Sequence, residues 1–102
     1  MAANLKTEVD NIIANNAVVV FSKTHCPYCT KAKALLEKHG VKAYIIELDN
    51  ADNGAAIQAY LQELTGQRTV PNIFINQKHI GGCDNLYALE KSGELKTLLA
   101  KI

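Results

Sequence analysis

No stretch of this 102-residue sequence approaches the roughly 18 apolar residues that a membrane-spanning helix needs. Its opening residues, Met1 to Glu8, lack the apolar core of a secretory signal. A surplus of one charge is missing too: 11 Lys and Arg face 10 Asp and Glu, for a net charge of +1. That balance excludes a general electrostatic footprint for nucleic acid or an anionic membrane, so any anion must be bound at a local site. Cysteine is scarce and odd in number, at three, which argues against a disulfide framework. A soluble, reducing, cytoplasmic setting is the expectation. Repeats, low-complexity tracts and linkers rich in Gly, Pro or Ser are absent, so a single domain over residues 1–102 is expected.

What is present suits a packed core. Apolar residues make up 48% and charged residues 21%, which excludes a disordered chain. Leu5, Val9, Ile12 and Ile13 follow a helical period and predict an amphipathic helix over 4–15. Residues 17–22 are continuously apolar and β-branched, as in a strand covered on both faces. From Cys26 the period changes: Ala32, Leu35, Leu36 and His39 share one helical face, with Gly40 as a stop. Residues 43–48 read as a second strand, parallel to the first across a right-handed crossover. A loop over Asp49–Asn53 leads to a helix with Ile57, Leu61 and Leu64 inward, ended by Gly66. Residues 72–75 and 79–80 read as two strands of an antiparallel hairpin, with Gly81-Gly82 breaking the second. Leu86, Leu89, Leu95, Leu98, Leu99 and Ile102 predict one or two terminal helices with a break at Gly93. The class is α/β: a small mixed sheet with helices on both faces.

The chemistry concentrates at Lys23-Thr24-His25-Cys26-Pro27-Tyr28-Cys29, where the first strand gives way to a helix. Backbone N–H groups at a helix start lack intrahelical partners, and with the helix dipole they favour negative charge on a nearby sulfur. Pro27 suits the first helical position, since its missing N–H would have been unpaired there. A thiol so placed typically drops from about 8.5 to roughly 3.5–7.5, and Lys23 adds positive potential. Cys29, one turn further in, can form a disulfide with Cys26 but is worse placed to ionise. Cys26 therefore attacks and Cys29 resolves. Two other readings compete: a structural zinc site wants four ligands in two close pairs, and only Cys83, His25, His39 and His79 remain to supply the second. A buried, inert pair is the other, and the strand-to-helix junction, where open α/β sheets place their ligands, argues against it.

Three segments together resemble the dithiol glutaredoxins, of Cys-Pro-Tyr-Cys type: Cys26-Pro27-Tyr28-Cys29, Gly66-Gln67-Arg68-Thr69-Val70-Pro71 and Gly81-Gly82-Cys83-Asp84. The match runs over about residues 4–102 in the family's order of elements. The resemblance implies a thioredoxin-like fold with a four-stranded mixed sheet and a cis peptide bond before Pro71, which would present the Val70 backbone beside the cysteines. Read without the other two motifs, Val70-Pro71 is an ordinary start of a strand.

The resemblance also implies glutathione as co-substrate, with no tightly bound cofactor and no metal. It assigns Lys23 to the glycine carboxylate, with help from Gln58 and Arg68. Thr69, Val70 and Pro71 flank the cysteinyl part, and Tyr28 lines the approach to the sulfur. Gly81 and Gly82 let the chain come close, and the helix beginning near Asp84 offers N–H groups to the γ-glutamyl carboxylate. Many relatives carry Ser-Asp where this chain has Asp84-Asn85, so the ammonium contact falls either to Asp84 or to a neutral bond from Asn85. Asp84 also reads as a helix N-cap. Cys83 reads as an apolar filler beneath the groove. Simple alternatives stand beside three of these assignments: a solvated surface arginine for Arg68, an exposed aromatic for Tyr28, and a cap alone for Asp84. None of the three histidines is assigned a catalytic role.

The implied activity is reduction of protein–glutathione mixed disulfides and protein disulfides by a monomer, through Cys26 with Cys29 as the resolving thiol. A rival is an iron–sulfur carrier, a dimer holding a [2Fe–2S] cluster through two Cys26 thiolates and two glutathiones. Pro27 and Tyr28 count against it by stiffening and crowding the site. A second rival is a thioredoxin-type reductant recycled by a flavoenzyme, against which the charge partners for glutathione count.

Overall fold

A computed structural model describes residues 5–102. The elements run α1 (Leu5–Asn15), β1 (Val18–Ser22), α2 (Pro27–Lys38), β2 (Tyr44–Glu47), α3 (Gly54–Thr65), β3 (Asn72–Ile75), β4 (Lys78–Gly81), α4 (Cys83–Ser92) and α5 (Glu94–Leu99). Asn4, the expected first residue of the first helix, lies outside the described residues. The strands form one sheet in the order β2-β1-β3-β4. β1 pairs with β2 in parallel, and with β3 antiparallel, as β3 does with β4. The expected four-stranded mixed sheet with helices on both faces is what forms. Among the described residues, no helix is long and apolar enough to cross a membrane.

The apolar run of β1 explains the layering. Every residue of this strand is buried, and alternate side chains enter opposite cores because a strand's side chains alternate faces. Val18 and Val20 join Ile73 and Ile75 of β3 against Ala32, Leu35 and Leu36 of α2, Leu86 of α4, and Leu95 and Leu99 of α5. Val19 and Phe21 join Phe74 against Val9 and Ile13 of α1 and Ile57 and Leu61 of α3. Phe21 meets Phe74 edge-on at 6.0 Å between centroids, and burying such a ring contributes about 1.5–3 kcal/mol. A continuously apolar strand is thus required at the centre, and the partly exposed β2 lies at an edge, with Tyr44 and Ile45 open to solvent.

Four local features differ from expectation. Leu64 shares the inward stripe of α3 but is 47% exposed, lining an open groove with Ile13, Ala14, Phe74 and His79. Ile102 is half exposed beyond the end of α5. The β3–β4 turn is a tight pair, Asn76 and Gln77, both at positive φ (49° and 68°), the pattern of a primed hairpin turn. Gln77 hides that turn from a sequence reading, since glycine is usual there. Lastly, Gly81 belongs to β4 rather than breaking it, and the break falls at Gly82.

One glycine is required by a close approach. A Cβ on Gly54, the first residue of α3, would stand 1.8 Å from the Leu48 carbonyl oxygen. That contact fixes where α3 begins after the loop leaving β2. Gly54→Ala should therefore force backbone movement and destabilise the protein by about 1–3 kcal/mol. A lower urea midpoint at unchanged slope is the expected result.

Candidate functional site

β1 ends and α2 begins over the segment carrying the cysteine pair. Cys26 is the N-cap of α2, in extended conformation (φ −96°, ψ 111°), with Pro27 at the first turn. A cap side chain accepts from a backbone N–H that the helix leaves unpaired. Here the acceptor is sulfur: Cys29 N–H donates to Cys26 Sγ at 3.2 Å. The Cys26 thiol lies 3.8 Å from the Val70 carbonyl oxygen, toward which its S–H can donate. The Val70–Pro71 peptide bond is cis.

The approach to the cap is held from across the sheet. Cys26 N–H donates to the Lys23 carbonyl at 3.2 Å, closing a tight turn. Asp49, just after β2, accepts from the Thr24 backbone N–H (3.1 Å) and from the Thr24 hydroxyl, and lies 3.7 Å from His25 Nε2. The Thr24 hydroxyl, then its N–H, hold the Asp49 carboxyl below the usual carboxylate range.

The three thiols are free but differ in setting. Cys26 is partly exposed, whereas Cys29 and Cys83 are buried. Burial pushes the Cys29 thiol up, and its hydrogen bond with Cys26 adds to the effect. Burial, and then the neighbouring Asp84 carboxylate, push the Cys83 thiol up. One accessible sulfur therefore faces two that are held as thiols.

Beside Cys26 opens a groove of about 410 Å³ lined by Tyr28, Gln67, Thr69, Val70, Pro71, Gly82, Cys83, Asp84 and Asn85. Eight of the expected binding residues thus converge there. Lys23, Gln58 and Arg68 stand outside it. Gln58 Nε2 donates to the Arg68 carbonyl at 2.7 Å, and Arg68 Nη1 donates to Gln62 Oε1 at 3.2 Å, so both serve to hold the loop that precedes Pro71. The residue that sequence reasoning missed is Gln67. Its Nε2 donates to the Thr69 and Pro71 carbonyls, both at 3.0 Å, which sets the curve of the groove wall. Its signal was a carboxamide just ahead of Thr-Val-Pro, within a motif already singled out.

The far wall corrects another expectation. The N-cap of α4 is Gly82, not Asp84, and Asp84 sits in the first turn. Asn85 takes the side-chain capping role, accepting from Gly82 N–H through Oδ1 at 3.1 Å. Gly81 permits this: its φ is +114°, and a Cβ there would lie 2.6 Å from that Oδ1. Asp84, relieved of capping, is the one carboxylate among the residues lining the groove. Together the site pairs an accessible sulfur with an extended backbone edge, a helix N-terminus and a carboxylate. It can perform thiol–disulfide exchange.

Comparison with known proteins agrees. The Glutaredoxin family model matches residues 18–80. A glutaredoxin of Ricinus communis is 53% identical over 95 residues, covering 93% of each chain. Glutaredoxin-C2 of Arabidopsis thaliana is 52% identical over 90 residues, covering 88% of this chain and 81% of that one. Among solved structures, the buckwheat glutaredoxin–glutathione complex superposes with a TM-score of 0.94 at 43% identity, covering 97% of this chain and 90% of that one.

The Asp49 contacts carry a pH signature. A carboxyl held below its ordinary value stabilises the fold above that value, and the contribution is lost as pH falls through the lower folded one. Asp49→Asn should therefore flatten the acid limb of the stability curve. Urea midpoints between pH 5 and 2 check this, and an acid limb as steep in the variant as in the native protein would refute the assignment.

Proposed function

The chain belongs to the glutaredoxin family of glutathione-dependent thiol–disulfide oxidoreductases, and from that premise we propose that it reduces protein–glutathione mixed disulfides through Cys26. The observation that carries the reading is the sulfur at the N-cap of α2, accepting the Cys29 N–H and opening on a groove of tripeptide size. Cys26 sulfur attacks the glutathione sulfur of the mixed disulfide. A Cys26–glutathione disulfide forms, the substrate S–S bond breaks, and the protein thiolate leaves to take a proton from solvent. A second glutathione thiolate attacks the glutathione sulfur of that intermediate, breaking its S–S bond, releasing oxidised glutathione and freeing the Cys26 sulfur. For a protein disulfide, Cys26 attacks one sulfur and the other leaves as a thiol; Cys29 then displaces the remaining substrate thiol from Cys26, and two glutathiones in turn reduce the Cys26–Cys29 bond and leave as oxidised glutathione. Exchange rates depend on the thiolate character of the attacking sulfur and the acidity of the leaving one. A sulfur stabilised at a helix start is suited to both tasks, since Cys26 attacks first and leaves later.

Glutathione has two carboxylates and one ammonium. In the proposed complex its cysteinyl part pairs with the Val70 backbone beside Thr69 and Pro71, with Tyr28 and Cys83 against the sulfur. The γ-glutamyl carboxylate meets the unpaired N–H groups that begin α4, a ready anion site. Its ammonium meets Asp84, because the Asn85 carboxamide oxygen is already engaged by Gly82. Lys23 answers the glycine carboxylate, and Gln58, Gln67 and Arg68 hold the loop between them. A groove of about 410 Å³ falls within the range usual for small-ligand sites, about 300–1,000 Å³.

Glutathione-coupled turnover of a small mixed disulfide tests the roles of the two thiols. Cys26→Ser should lose roughly a thousandfold or more in rate, as removal of a nucleophile does. Cys29→Ser should keep most turnover of the mixed disulfide yet fail on protein disulfides. Substantial turnover by Cys26→Ser would rule the mechanism out.

A further inference from the structure

An exposed ridge starts at the reactive sulfur and runs along α2 and α4. Tyr28 is 59% exposed and Tyr87 41% exposed. Between them, Lys31 Nζ lies 5.9 Å from the centroid of the Tyr28 ring, and Tyr87 Oη donates to the Lys31 carbonyl at 3.3 Å. Lys91 follows Tyr87 by one helical turn and so shares its face, and exposed Lys38 extends the same side of α2. Of the carboxylates around the ridge, Glu47 and Glu90 are engaged, whereas Asp84 on the Tyr87–Lys91 face of α4, Glu37 and Glu94 form no ion pair among the described residues. Glu47 pairs with Lys33 and Glu90 with His39, each at 2.7 Å. Lys31, Lys38 and Lys91 form no ion pair among the described residues. Glu37 is exposed but points about 100° around α2 from Lys38, by the helical repeat. Asp84 belongs to the groove wall.

Free ammonium groups interleaved with exposed tyrosine rings make a surface of definite chemistry. The rings offer apolar area with a polar tip, and the lysines create a positive field on a chain whose net charge is only +1. A mixed disulfide whose glutathione half fills the groove leaves its polypeptide half at the rim, where Tyr28 stands. We infer that the α2–α4 ridge docks that polypeptide and selects substrates in which the glutathionylated cysteine is flanked by Asp and Glu. The inference rests on the glutathione-exchange reading above and adds the substrate class.

The experiment compares two glutathionylated peptides of equal length, one with Asp and Glu around the modified cysteine and one with Lys. The native protein should favour the acidic peptide by roughly threefold to tenfold in kcat/KM at low salt, the size expected of a few rim charges. The preference should shrink toward unity near 0.5 M salt, where screening reaches only a few ångströms. Lys31→Glu combined with Lys91→Glu should invert it, while turnover of the hydroxyethyl–glutathione mixed disulfide stays within about twofold of native. Equal rates on both peptides with normal turnover of the small disulfide overturn the docking inference alone. Absence of turnover on the small disulfide by the native protein overturns the exchange reading, and the docking inference with it.

Discussion

The hydrogen bond from Cys29 N–H to Cys26 Sγ is the contact around which the rest of the molecule is arranged. It exists because Cys26 is the N-cap of α2 and Pro27 occupies the first turn without an N–H to compete. A cap needs a strand that ends at the right place, and the fully buried β1 supplies it. β1 in turn is held by β2 in parallel on one side and β3 antiparallel on the other. Asp49, leaving β2, grips Thr24 just ahead of the cap, and the Val70 carbonyl, just before β3, faces the thiol. The chain next to β3 thus reaches the sulfur itself, and the chain after β2 fixes the turn that leads to it.

Two helical layers divide the remaining work. α1 and α3 cover one face of the sheet with Val9, Ile13, Ile57 and Leu61, and α3 also sends Gln58 to the loop preceding Pro71. α2, α4 and α5 cover the other face, and the first turns of α2 and α4 supply two sides of the groove, Tyr28 and Cys83–Asn85. Those walls therefore rest on packed cores, and the loop between them is fastened by two carboxamides, Gln58 and Gln67. Such backing reduces what a ligand must order on binding, a saving that small polar ligands need.

Much of this was legible in the residues. The unbroken apolar run of β1 announced a central strand, the changes of period marked the helices, and glycines at 40, 66 and 93 stood where the chain turns left-handed. The cysteine pair at a strand-to-helix junction indicated a nucleophile and its neighbour. Less legible was everything decided by which partner a side chain finds across space. Periodicity assigned Leu64 a face but not the extent of the elements opposite, so its exposure went unseen. Gln58 and Arg68 read as ligand contacts from resemblance, and their hydrogen bonds, unseen in the sequence, tie the loop before Pro71 to α3. Asp84 read as a cap because its type suits one, but Asn85 holds the cap position's N–H and leaves that carboxylate to the groove. Val70-Pro71 alone would have passed for the start of a strand.

The central claim is that one sulfur of three is presented for reaction while the other two are withheld by burial. Limiting iodoacetamide at pH 6, followed by peptide mass spectrometry, measures this directly. The account expects Cys26 to be carbamidomethylated at least about tenfold faster than Cys29 or Cys83, as sulfurs at helix starts outpace buried thiols. Comparable rates at the three positions, or faster labelling of Cys29, would contradict it.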